Sequence, residues 1–357
     1  MAKVWQNKKT RSKLITFAMV LLAYGVIELL LFTGNVSSLI KGQLVPICAY
    51  IVMALSLNLT VGILGELSLG HAGFMSVGAF TGAVLAACLK TSVPQDWLRL
   101  LICIAGAGVA AMLAGFLVGI PVLRLRGDYL AIVTLAFGEI IKGVFNNLYV
   151  GLDQNGLHIS MLRQTFSLGA EGKTIINGPM GVSGNAKIST FTMGVVLILF
   201  ALIVIYNLVD SRAGRAIRAL RDNDIAADSV GISSTRYKLM AFVISAALAG
   251  MAGSLFANNY STFIAGKFDF NTSILILVFV VLGGLGNVRG SIIAATALTL
   301  LPELLRSVKD YRMLAYAVVL ILVMLVTNNQ KLKRYWQMLK KSVKDLFRKI
   351  GGSKRNG

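Results

Sequence analysis

The chain has 357 residues, of which 56% are hydrophobic and only 14% charged. Soluble domains carry about 25% charged residues, so composition excludes a water-soluble enzyme or binding module and indicates an integral membrane protein. The formal charge of +20 is uneven: Met1–Lys13 holds five basic and no acidic residues, Lys331–Gly357 ten and one, and Asp210–Lys238 six and four. Such clusters suit segments held beside anionic lipid at one membrane face, and they argue against nucleic acid as a partner. Cys48, Cys88 and Cys103 all lie in apolar runs without CxxC spacing, and the only histidines are His71 and His158. Disulfides and a histidine-rich metal site are therefore not expected.

In chain order, apolar runs predict spans near 14–33, 44–64, 67–89, 98–123, 129–150, 190–209, 239–257, 272–286, 290–308 and 312–327. The run Leu14–Phe32 is too long for the core of a signal peptide and reads as an uncleaved span. Placing the basic segments inside predicts an all-α polytopic protein of about ten helices with both termini cytoplasmic. It comprises a basic N-tail (1–13), a membrane domain (14–327) and a basic C-tail (328–357). The run at 272–286 is short and ends in GGLGNVRG, so it and its successor are candidates for broken or re-entrant helices. Gly78-xxx-Gly82 and Gly115-xxx-Gly119 predict close helix packing. In the C-tail, Leu332, Trp336, Leu339, Val343, Leu346 and Ile350 recur among lysines, which fits an amphipathic helix lying on membrane lipid.

The polar interlude Asp210–Lys238 stands out between apolar runs. Ser211 reads as an N-cap, with Arg212, Arg215, Arg218 and Arg221 following at three-residue steps. A second short helix fits Ile225–Val230, capped by Asp224 and stopped by Gly231. Read alone, the stretch is either a surface for a soluble partner or a solvated loop on the positive face. Its wording settles more. Ala226-Ala227, three residues and then Gly231 resemble the EAA-xxx-G core of ABC permease coupling loops, with Ile225 in place of the Glu. The wider string RAxRALRxxxIAAxxxGI, running on into RYKLMAFVISAALAGMAGSLFA, resembles the LivM-type permeases of branched-chain amino acid ABC importers.

Three further stretches carry the same resemblance. LSLNLTVGILGELSLGHAGF (55–74) is glycine-rich; its Asn58, Glu66, Ser68 and His71 either face a polar pathway or cap a sharp interhelical turn. RLRGDYLAIVTLAFGE (124–139) offers Arg124 and Arg126 as anchors and Asp128 as a cap. Beyond it, Glu139 and Lys142 lie one turn apart inside an apolar run, where each charge costs about 2.5–3.5 kcal/mol unless sheltered from lipid. Glu28 is similarly costly. LVFVVLGGLGNVRG (277–290) is the third, with Arg289 as an anchor and Pro302 following in the next helix. The segment 151–189 is long for a loop and is external on this topology; its NGPMGVSG resembles the Gly-Pro segment of the family. Two imitations carry nothing: Gly172-Lys173-Thr174 lacks the earlier glycine of a P-loop, and Gly181-Val182-Ser183-Gly184 lies in a polar loop without a paired base.

The resemblance implies a permease subunit in a bacterial inner membrane that carries leucine, isoleucine or valine and is not itself an enzyme. It implies a second homologous permease, two ATP-binding subunits and an extracytoplasmic substrate-binding protein as partners, with no cofactor in this chain and ATP bound by the partner subunits. On that reading Ala226, Ala227 and Gly231 form the ATPase-coupling loop, with Arg215 and Arg218 as docking charges. Asn58, Glu66, Ser68, His71, Glu139 and Lys142 are the candidate translocation pathway. The rival from another class is an ion-coupled transporter or channel for a small polar solute such as urea or an amide, built on the same membrane carboxylates.

Overall fold

The computed structural model describes residues 2–34, 37–125, 127–153, 156–162 and 172–305, with isolated positions at 317, 318 and 321. The span expected at 312–327 and the C-tail at 328–357 fall almost entirely outside these residues, as does Arg126. The chain divides into two compact units, 1–297 and 298–357. Everything below concerns the first, apart from the last residues of its final helix.

The helices are α1 (Ala2–Phe32), α2 (Ser38–Leu57), α3 (His71–Cys88), α4 (Asp96–Val122), α5 (Asp128–Asn146), α6 (Phe191–Asp210), α7 (Arg212–Asp222), α8 (Asp224–Ser229), α9 (Ser234–Ala257), α10 (Phe270–Gly283) and α11 (Val288–Leu304). Six helical stretches among the described residues are long and apolar enough to cross a membrane: 13–32, 40–64, 71–88, 96–122, 191–210 and 234–257. Helix α1 runs unbroken from Ala2 into the first span. Its outward residues Leu22, Leu29 and Phe32 are exposed, as a lipid-facing helix requires. With 14 residues, α10 is about 21 Å long, short of an apolar layer of about 30 Å. At GGLGNVRG, α10 and α11 are joined by a tight turn at Gly284–Asn287.

At the centre lies α9, nearly every residue of which from Ser245 to Ala257 is buried. Its small side chains allow α3 and α4 to approach at backbone distance. A Cβ on Gly78 of α3 would sit 2.0 Å from the Gly250 carbonyl oxygen, and one on Gly115 of α4 would meet the Ala246 methyl at 2.5 Å. The spaced glycines of α3 and α4 thus face one helix.

The segment expected as a long loop after α5 carries strands among its described residues. Strands β1 (Leu148–Asp153), β2 (Gly156–Met161) and β3 (Lys173–Asn177) form an antiparallel sheet in the order β2-β1-β3, with Val150 opposite Ile159 and Ile176. The mostly helical class stands, with this sheet added at one end of the bundle. Val182 and Phe263 exchange backbone hydrogen bonds, tying the chain after the sheet to the α9–α10 connection. Beneath them Phe80 stacks on Phe145 at 4.4 Å and meets Phe263 edge-on at 5.2 Å.

The opposite end collects the basic interlude. Lys13 pairs with Asp210, and Thr16 receives hydrogen bonds from Arg289 Nε (2.7 Å) and Tyr206 (3.1 Å). The start of the first span, the end of α6 and the start of α11 therefore share one end with α7 and α8.

Candidate functional site: a broken helix beneath two short polar helices

Helix α2 does not end as an α-helix. It widens at Asn58 into a seven-residue π-helical turn, Asn58–Leu64, closed by Gly65 at φ +87°. The chain then bends through Glu66–Gly70 before α3 begins at His71. Broken backbone inside an apolar bundle needs outside partners for its polar groups. Here they come from five other elements. Thr134 of α5 accepts from the Leu69 amide (3.0 Å), and Ser273 of α10 accepts from Ala72 in the first turn of α3 (3.2 Å). Asn58 Oδ1 accepts from the Gly286 amide in the α10–α11 turn (2.8 Å). No side chain larger than hydrogen fits between them, since a Cβ on Gly62 would lie 2.3 Å from that nitrogen.

His71 forms the fourth tie. Ser245 of α9 donates its hydroxyl to the Ser56 carbonyl (2.6 Å) and lies 2.8 Å from His71 Nε2. With that single proton committed, Ser245 must accept from Nε2–H, which leaves Nδ1 to accept from Ser68 (3.4 Å). Ser68, His71, Ser245 and Ser56 so form a directional chain across the break. Asn58, Ser68 and His71 are each 1–2% exposed. Of the six pathway candidates, these three sit inside packed protein and are committed to structural hydrogen bonds.

The fifth tie is charged. Lys238, in the second turn of α9 and 5% exposed, places Nζ 2.5 Å from Glu66 Oε1 and 2.6 Å from Asp224 Oδ2. Beside it Arg221 of α7 donates to the Gly62 carbonyl at 2.7 Å. Neither cation is among the site residues expected from sequence. Lys238 reads there as the last basic residue before a span, and nothing local reveals carboxylates 14 and 172 positions away.

The interlude itself folds as two helices. Ser211 caps α7 by accepting from Gly214 (3.1 Å). The second cap moves by one residue: Asn223 accepts from Ala226 (3.0 Å), and Asp224 opens α8 with its carboxylate turned to Lys238. Likewise Gly127, not Asp128, occupies the cap position of α5. Gly231 stops α8 with φ +84°. Arg215 is exposed, whereas Arg218 is half-buried and donates to the Val209 (2.9 Å) and Gly214 (3.3 Å) carbonyls, sealing the junction with α6. Ala226 faces outward with Ile225 (71% exposed) and Val230 (76%), while Ala227 is buried.

Glu139 and Lys142 take no part in these ties; they lie further along α5, towards the sheet, and form an ion pair with each other. A narrow cleft beside them is lined by Gly73, Gly138, Glu139, Asp269 and Ser273. Asp269 caps α10. Burial alone would push its carboxyl up, but hydrogen bonds from the Thr272 amide and the Asn271 side chain, with the charge of Lys142, hold it below its usual value. Among the described residues no group of three His, Cys, Asp or Glu could hold a metal ion. The P-loop imitation is committed elsewhere, since Lys173 donates to the Gly184 carbonyl at 2.7 Å.

Residues 39–327 match a family described as branched-chain amino acid transport system / permease component. The high-affinity branched-chain amino acid transport system permease proteins LivM of Salmonella typhimurium and Escherichia coli K12 are each 39% identical over 288 residues, covering 77% of this chain and 66% of theirs. The chain therefore spans just under two thirds of those relatives. The permease protein LivH of Escherichia coli K12 is 26% identical over 292 residues, 78% of this chain and 89% of that one. The family match takes in both polar helices, the broken helix and the charged cleft, and the chain belongs to the branched-chain amino acid transport permease family.

Proposed function

We propose that this chain is a membrane-spanning permease subunit of an ATP-driven importer of branched-chain amino acids in a bacterial inner membrane. The observation that carries the reading is the pair α7–α8. It forms a small platform at one end of the bundle, with Ile225, Ala226 and Val230 turned outward and the opposite face tied to the membrane helices through Arg221 and Lys238. An exposed apolar knob suits a groove on a soluble partner. ATP-binding subunits docked there have differential contacts with two permease states and so shift the balance between them. ATP stays with those partners, and this chain contributes no catalytic group.

The second permease covers α5. That helix turns Ile132, Ile140 and Val144 outward around a mid-helix ion pair, and charges at this depth need protein or water rather than lipid. Glu139, Lys142 and Asp269 then lie along the pathway near its external end, below the sheet where a substrate-binding protein delivers its cargo.

The test is purification of the tagged chain from native membranes under mild detergent, then reconstitution of what is recovered. Two ATP-binding subunits and a second permease are expected, with leucine uptake that requires ATP. Recovery of the chain alone, with uptake that follows an ion gradient and ignores ATP, overturns the proposal in favour of a secondary transporter.

A further inference from the structure

The charged tie at Lys238 holds more negative charge than the lysine needs. Two carboxylates converge on one ammonium, and the second oxygen of Asp224 is buried with no hydrogen-bond partner. Buried ion pairs repay their desolvation only when charge and hydrogen bonding balance. A one-to-one pair between Lys238 and Glu66 would do so, and the third charge adds a bare oxygen. Stability does not explain Asp224. Its position does, because Glu66 belongs to the bend between the π-helical turn and α3, whereas Asp224 is the first residue of α8.

We infer that Lys238 is the positioning residue that transmits movement of α8 to the broken helix, with Arg221 and the Gly62 carbonyl as a second strut. The inference rests on the coupling role proposed above. The bend that carries Glu66 also carries Leu69, held by Thr134 of α5, and it leads into Ala72, held by Ser273 of α10. Pulling α8 therefore displaces Glu66 against α9, the most closely packed helix, and the displacement passes to α5 and α10. Those two helices carry the cleft charges close to the ties: Glu139 and Lys142 follow Thr134 along α5, and Asp269 caps α10 one turn before Ser273. The route alternates ion pairs and hydrogen bonds with short stretches of chain from the outward platform to the charged cleft.

The experiment uses the complete reconstituted complex and the variants Asp224→Asn and Glu66→Gln, each of which leaves a neutral pair in place of three charges. The readout is leucine transported per ATP hydrolysed, with assembly and thermal stability followed in parallel. Each variant should assemble as the parent does and continue to hydrolyse ATP, while transport per ATP falls about tenfold, a typical size for a coupling term. Lys238→Arg, which can still reach two carboxylates, should retain most of the parental ratio. An unchanged ratio in assembled variants overturns the inference. So does failure of both variants to assemble, because the three charges would then be needed for folding. A parent complex whose uptake ignores ATP instead overturns the functional proposal itself, and that result is read before any variant is made.

Discussion

The seam of α9 with α3 and α4 and the polar joint at the broken helix lie on the same central helix and are built on opposite principles. Along the seam, small residues bring backbones together at close approach. At the joint, carbonyls, amides, hydroxyls and charged groups are held by partners from distant segments, with one Asp224 oxygen left bare. The first tolerates no added volume; the second tolerates no lost partner. A rigid axle meeting a network of specific ties is what a device needs if one end moves while its centre keeps its shape.

The sharpest way to break the comparison is to add volume to the seam. Gly78→Leu should cost more than about 3 kcal/mol and abolish monodisperse protein on size-exclusion chromatography, since its Cβ already lies 2.0 Å from a carbonyl oxygen. Survival of that variant with parental stability would show that the seam is not close-packed. Next in size is Lys238→Met, which strands two part-buried carboxylates. It should cost about 3–5 kcal/mol in thermal unfolding, and Lys238→Arg much less. Ser245→Ala leaves the His71 Nε2–H and the Ser56 carbonyl without their shared partner, for a loss of about 1–3 kcal/mol. If Ser245→Ala is neutral, the directional chain across the break is not structural.

How much of this is legible in the sequence follows the same division. The seam is readable because Gly78, Gly82, Gly115 and Gly119 report packing through their own spacing, and Ser211 and Gly231 mark helix ends from local geometry. The platform is readable as a motif. The joint is not, because Asn58 meets Gly286 and Lys238 meets Glu66 across more than 170 residues, and no periodicity encodes such a pairing. The second cap is misplaced by one residue because Asn223 and Asp224 are both good caps, and Lys238 draws the aspartate away. The sheet at 148–177 escapes because its strands are short and interrupted, and the preceding helix hides where the first begins.

The smallest predicted effect lies away from both regions. Asp269→Asn keeps a competent cap for α10 and should cost less than about 0.5 kcal/mol. Because the Asp269 carboxyl is held below its usual value, its charge contributes fully above about pH 4 and fades as pH falls through the folded-state value. The stability gap between parent and variant should therefore be present at pH 7 and close in strong acid. A gap that widens with acidity contradicts the assignment of Lys142 and the cap as the groups that favour the charged form.

The π-helical turn at Asn58–Leu64 has a consequence for how such a protein can change over time. A π-turn is one residue more than the α-helix can hold in register, so this break is written as length rather than as a particular side chain. Removing any single codon between Asn58 and Leu64 would let the helix close and rotate everything beyond it by about 100°. Glu66, Ser68 and His71 would then turn away from Lys238 and Ser245 without a single substitution. An in-frame deletion of one codon would thus unmake the central joint while leaving every remaining side chain as it is.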